Sequence, residues 1–235
     1  MLAETGVDAA VVLPFDDDRR QEAPEAFVRR VLVDGLRAAA VVVGEDFHFG
    51  VGRTGNVALL RELGSQFDFD VLPVALLDRS DGVSEPVSST AIRRALAGGD
   101  VEQAATMLGR PFQARGPVTQ GDQRGRLLGF PTANVAVPAQ ICLPADGVYA
   151  GVYERPDGTR QACAINLGRR PTFYDHATTS LLEAHLLDFE GDLYGEPAKV
   201  EFVAFLRSER KFDGIDALIA QLKLDCEHAR AAVTL

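Results

Sequence analysis

Residues 125–135 read GRLLGFPTANV. Glycine, arginine and proline give way to Thr132-Ala133-Asn134, and the chain then runs into the alternating apolar segment ANVAVP (133–138). Pro, Thr and Asn all suit turns and strand starts, so one reading of the stretch is purely structural. The other reading uses strand geometry: residues two apart share a face, so Thr132 and Asn134 point the same way. Both readings put a strand at 133. Five further segments of the same kind surround it: VTQG (118–121), GVYAGVYE (147–154), RQACAINLG (160–168), LLEAHLLDF (181–189) and AKVEFVAFLR (198–207). No long helical pattern interrupts them, and Pro156-Asp157-Gly158 is a turn between two of them. Short strands with turn signals predict a small antiparallel barrel or sandwich. Beyond them, Asp213 is expected to cap an amphipathic helix. Its apolar face, Ile215, Leu218, Ile219, Leu222 and Cys226, would pack on the strands.

Upstream of the strands the pattern changes. VDAAVVLPF (7–15) and AAAVVVGED (38–46) are continuous apolar runs of the kind buried in parallel sheets. PEAFVRRVLVDGL (24–36) has helical spacing, and NVALLREL (56–63) with FDVLPVALL (69–77) forms another helix–strand pair. This half reads as three-layer α/β. Two short helices close it. Ser88-Ser89 caps TAIRRALA, which Gly98-Gly99 ends. Asp100 starts VEQAATML with Gln103 in a capping-box position, and Gly109 ends it. The expected division is an α/β domain over 1–109 and a β domain over 110–235.

Composition narrows the function classes. The 235 residues are 46% hydrophobic and 25% charged, ordinary for a globular protein. No apolar run nears the ~20 residues of a membrane helix, and the N-terminus lacks the basic and apolar regions of a signal peptide. No membrane association and a cytoplasmic location are therefore expected. A net charge of −10 argues against nucleic acid as a partner, and basic pairs such as Arg93-Arg94 and Arg169-Arg170 are islands suited to a small phosphate ligand. Cys142, Cys163 and Cys226 offer no C-x-x-C pair. His48, His176, His185 and His228 offer no zinc spacing. Any metal is expected to be a hard cation arriving with phosphates.

Four stretches carry candidate chemistry. GVGRTG (50–55) fits the dinucleotide pattern G-x-G-x-x-G but has no acidic residue at the end of the next strand at the required spacing, so a tight glycine turn is the preferred reading. SSTAIRR (88–94) opens a helix whose free amides favour an anion, although from these residues alone an ordinary cap with solvated arginines is the preferred reading. GDQRGRLLGFPTAN (121–134) is no P-loop, yet its glycines at 121, 125 and 129 would let backbone N–H groups close over phosphates. The Thr132 and Asn134 oxygens then suit Mg²⁺, with phosphates and water completing the octahedron. In LLEAHLLDF, Leu182, Ala184 and Leu186 face one side while Glu183 and His185 face the other. From pattern alone this is a half-exposed strand with its polar residues outward; on the chemical reading Glu183 is a candidate base, and His185 is read as its structural neighbour.

These stretches together resemble one family. VVVGEDFHFG, VSSTAIRRAL, LGRPF, GRLLGFPTAN, LPADGVYAGV, LGRRPTF, LEAHLLDF, DLYG and RSERKFDG are similar, along the whole chain, to prokaryotic riboflavin kinase/FAD synthetase. The resemblance implies an incomplete Rossmann-like nucleotidyltransferase half and a six-stranded barrel with a C-terminal helix. It implies ATP and riboflavin as substrates, FMN as product, and Mg²⁺ as cofactor. For the kinase site it implies a flap from Gly121 through Gly125 and Arg126 to Gly129, and nucleotide contacts from Pro131, Thr132 and Asn134. It further implies Mg²⁺ on Thr132 and Asn134, Glu183 as base for the ribityl 5′-hydroxyl, and Arg207 in the flavin segment. For the adenylyltransferase it implies a flavin and phosphate site at Gly44, Asp46, Phe47, Phe49 and Gly50, with Ser88, Ser89, Thr90 and Arg93. The departure is at the front, since the family's H-x-G-H motif occurs nowhere in these 235 residues. FAD formation is therefore expected to be lost or impaired, and the shortened sheet is expected to expose an apolar edge prone to self-association. The alternatives are the full bifunctional enzyme and a flavin-binding protein without activity.

Overall fold

A computed structural model describes residues 5–121, 123–168 and 180–235, which fall into two compact units dividing between Asp78 and Arg79. In the front unit a helix over 24–35 starts at Pro24 and widens to π-type winding over Val28–Gly35. Strand β1 (Ala40–Gly44), the helix Val57–Phe67 and strand β2 (Asp70–Val74) follow. β1 and β2 pair in parallel from Ala40↔Asp70 to Gly44↔Val74. The helices bury Val28, Leu60 and Leu63 with Phe49 and Phe69 in a small core.

The expected strand at 7–15 does not form. These residues have no regular structure, and Val12 and Phe15 are 88% and 82% exposed. A continuous apolar run makes a strand only where a neighbour supplies ladder bonds and both faces are covered. Among the described residues β1 pairs only with β2, and Val42, Leu72 and Val74 stay exposed on the sheet. The GVGRTG stretch folds as a tight turn bridged by Phe49↔Gly55. Gly50 has φ +73°, and a Cβ there would lie 2.7 Å from the Pro24 nitrogen.

In the second unit six described strands close into an antiparallel barrel, in the order β3-β4-β7-β6-β5-β8. They are β3 (Phe112–Thr119), β4 (Ala133–Val135), β5 (Gly147–Glu154), β6 (Arg160–Gly168), β7 (Leu181–Leu186) and β8 (Pro197–Arg207). Inward residues such as Ile165, Leu167, Leu182, Val200 and Phe202 are fully buried. The helices Ser89–Ala97 and Val101–Leu108 belong to this unit and put Ala95, Leu96, Val101 and Ala104 into the barrel's core cluster. Ser88 caps the first, accepting from the Ala91 N–H. Asp100 caps the second through the Gln103 N–H, but the Gln103 side chain bonds to Asp81 instead of closing a capping box.

The C-terminal helix, Ile215–Ala232, begins after Gly214 with no side-chain cap, so Asp213 lies one residue too early to serve as expected. Its buried residues are Gln221, Asp225 and Ala229, and Ile215 is exposed. The inward face thus adds polar residues to the expected apolar stripe, because Arg207 at the end of β8 and Arg210 in the loop after it need polar partners.

Candidate active site

The barrel's hydrogen-bond register draws one row of residues across all six strands. Thr119 on β3 pairs with Asn134 on β4, and Asn134 with Glu183 on β7. Glu183 pairs with Asn166 on β6, Asn166 with Val148 on β5, and Val148 with Arg207 on β8. Directly opposed residues of antiparallel strands share a face, with Cβ atoms about 5 Å apart. On β4 and β7, Ala133, Val135, Leu182 and Ala184 turn into the core, which leaves Asn134 and Glu183 on the other face. There a cavity of about 380 Å³ is lined by Thr132, Asn134, Glu183, Asn166 and Arg207 of the barrel, and by Asp225 of the C-terminal helix.

Asn134 is only 6% exposed, and its Oδ1 has no hydrogen-bond partner among the described residues. Leaving such an acceptor unsatisfied costs about 1–3 kcal/mol. The preceding loop fits closely around this amide. A Cβ on Gly121 would lie 2.3 Å from Asn134 Nδ2, and one on Gly125 would lie 2.3 Å from the Phe130 carbonyl oxygen. One helical turn, Arg124–Leu127, and a left-handed Gly129 (φ +86°) fold the segment back toward Pro131. The His185 Nδ1–H donates to the Pro131 carbonyl at 2.7 Å and ties the loop to β7.

A second cavity, about 250 Å³, lies on the other side of Thr132, which lines both. Arg126 and Pro131 line this second space with Phe189 and Tyr194. Of the residues read from sequence, Gly125, Thr132, Asn134, Glu183 and Arg207 therefore meet in the first cavity, while Arg126 and Pro131 face the second. The front-unit residues Gly44, Asp46, Phe47, Phe49 and Gly50 cluster by themselves, with Phe47 stacked on Phe49 at 5.3 Å. Ser88, Ser89, Thr90 and Arg93 lie in the other unit, Ser88 as the cap of its helix, Ser89 and Thr90 on the first turn and Arg93 on the second. Arg169, Arg170 and His176 fall outside the described residues.

Arg207 is held rigidly. Its Nε and Nη2 donate to Asp225 at 2.7–3.1 Å, and Gln221 Nε2 donates to the same carboxylate at 2.7 Å. Arg210 in turn donates to Gln221, and both guanidinium groups lie over the Phe212 ring. Beside them, burial pushes the Cys226 thiol up to about 11, so it is a neutral wall of the cavity. The Asp225 carboxylate is 2% exposed. We expect Asp225→Ala to leave Arg207 without its counter-charge and to cost about 3 kcal/mol, roughly 6–12 °C in Tm by calorimetry. A change below 2 °C would show that the pair does not hold the helix to the barrel.

Asn166 and the Asp225–Gln221 pair were not legible as site residues. Only register sets Asn166 beside Glu183, and only the fold brings residue 225 to residue 207.

The barrel lies within the stretch that the family profile described as riboflavin kinase matches, residues 108–233, and the profile described as FAD synthetase matches residues 1–91. The chain belongs to the bifunctional riboflavin kinase/FMN adenylyltransferase family. It is 37% identical to the member from Listeria monocytogenes over 98% of its own length and 71% of the relative's. It is 39% identical to the Escherichia coli K12 member (95% and 70%) and 40% identical to that of Pseudomonas fluorescens (96% and 71%). A Streptococcus pneumoniae crystal structure described as a macrolide-efflux protein superposes with a TM-score of 0.82 at 31% identity. It covers 97% of this chain and 72% of that one. Among the described residues here, no helix is long and apolar enough to cross a membrane.

Proposed function

We propose that the barrel unit transfers the γ-phosphoryl group of ATP to the 5′-hydroxyl of riboflavin, giving FMN and ADP. The observation that carries this reading is the buried Asn134 Oδ1, without a partner among the described residues and in register with Glu183. A buried acceptor of that kind suits a hard cation, and Thr132 and Asn134 are the residues that would hold Mg²⁺. The ion, when bound, supplies charge neutralisation for the transferring phosphate. Glu183 accepts the proton of the attacking hydroxyl as the new P–O bond forms and the bond to ADP breaks. The two cavities meeting at Thr132 give nucleotide and flavin separate approaches to that point. Arg207, fixed by Asp225, contributes positive charge at the flavin end of the row, and the 121–129 loop closes over the phosphates through its backbone amides.

A second reading has its own support, since the FAD synthetase profile matches the front of the chain. Against it stands the absence of H-x-G-H from these 235 residues. Mass spectrometry of the purified chain with riboflavin, ATP and Mg²⁺ separates the readings. We expect FMN to accumulate without FAD. Appearance of FAD would establish the bifunctional activity for this chain. Tight flavin binding with neither product would leave a flavin-binding protein and refute the kinase.

A further inference from the structure

Glu183 has an amide neighbour on each side. Asn134 stands opposite it on β4 and is accounted for by the cation site. Asn166 stands opposite it on β6, lines the same cavity and has no role in the reaction as set out above. Its position along the row is informative. Adjacent strands are about 4.8 Å apart, so the row is a ruler laid from the phosphate end to the flavin end. Starting at Glu183, where the reacting hydroxyl sits on the kinase reading, the next step is Asn166, then Val148, then Arg207. An acceptor molecule whose primary hydroxyl is at Glu183 must run its adjoining carbon chain past Asn166 before its ring reaches Arg207 and Phe212.

The chemistry of that step is distinctive. Val148 and Ala164, the cavity-lining neighbours of Asn166 on β5 and β6, are apolar. Arg207 has only donors, and two of its nitrogens are already committed to Asp225. Glu183 as a base is an acceptor only. Asn166 is thus the one group on this part of the row that offers both a donor and an acceptor, as a chain of secondary hydroxyls requires. We infer that Asn166 is the specificity-determining residue that reads the secondary hydroxyls of the polyol arm, so that the enzyme distinguishes a sugar-alcohol chain from a plain alkyl chain bearing the same terminal hydroxyl. This inference rests on the kinase reading and adds to it the selection of the acceptor.

The test compares two acceptors: riboflavin, and a flavin with the same ring on a 5-hydroxypentyl chain, which keeps the primary hydroxyl and lacks the secondary ones. The full chain is assayed with each, alongside Asn166→Ala and Asn166→Ser. Wild type is expected to favour riboflavin. Asn166→Ala should lower kcat/KM for riboflavin about tenfold, change the pentyl analogue less than threefold, and leave KM for ATP unchanged. Asn166→Ser, which keeps a small donor and acceptor, should restore part of the preference and serves in its place if the alanine variant does not fold. An equal loss on both acceptors would mean that Asn166 acts on Glu183 or the fold, and would overturn the inference while the kinase reading stands. Unchanged discrimination in the variants, or none in wild type, would overturn it too. Failure of wild type to phosphorylate either flavin would remove the kinase reading itself and this inference with it.

Discussion

Glu183→Gln is expected to lower kcat for riboflavin phosphorylation by 10²–10⁴, about 3–5 kcal/mol of barrier, and to leave ATP affinity within about twofold. The substitution keeps the side chain's volume and its place in the row between Asn134 and Asn166, so the site retains its shape. What it removes is the carboxylate's ability to take the proton from the hydroxyl as the phosphate is attacked. Phosphoryl transfer draws most of its acceleration from positioning and charge neutralisation, which explains why the expected loss is a part of the total. Steady-state kinetics with a titration of ATP binding separates the two quantities. Wild-type kcat in this variant would take Glu183 out of the mechanism. A loss expressed in KM for ATP would move its role to the nucleotide.

Asn134→Leu is expected to separate stability from function. Wild type carries a buried Asn134 Oδ1 with no partner among the described residues, and a polar atom so placed destabilises the fold. Leucine is of similar size and removes the orphan. Tm should therefore hold or rise by a few degrees, following the roughly 1–2 kcal/mol recovered. The same change deletes the oxygen read as a cation ligand, and Mg²⁺-dependent ATP binding should weaken at least tenfold by titration calorimetry run with and without the metal. A functional site that is costly to fold has this signature. A large drop in Tm would instead mark Asn134 as structural, and undiminished metal-dependent binding would end its candidacy as a ligand. Gly121 marks the tolerance of the same spot, since a Cβ there would overlap the Asn134 amide.

The sequence alone went far in the barrel because most strands announce themselves locally; the exception is β3, expected over 118–121 and found over Phe112–Thr119. Alternation in LLEAHLL sends Leu182, Ala184 and Leu186 inward, and the structure buries all three. GFPTAN sets Thr132 and Asn134 on one side, and both line one cavity. Where local pattern was the only guide and a neighbour was needed, it failed. VDAAVVLPF has every mark of a buried strand and yet is exposed, because a strand exists only with a partner, and among the described residues none is beside it. The C-terminal helix was legible as amphipathic, and Leu218, Leu222 and Cys226 of its expected face do line the cavity, but the buried Gln221 and Asp225 beside them were not legible. The sequence cannot show that Asp225 and Gln221 would meet arginines contributed by a strand end and the loop after it.

The six strands, their alternation and the motif residues on them were thus determined by the order of amino acids, since side-chain periodicity and turn chemistry act over a few residues. The register belongs to the tertiary structure alone. Which residue of β7 faces which residue of β4 and β6 is set by closing the barrel, since a slip of one position would turn every inward side chain out. That closure lines up Asn134, Glu183, Asn166 and Arg207 from four separate segments into one row.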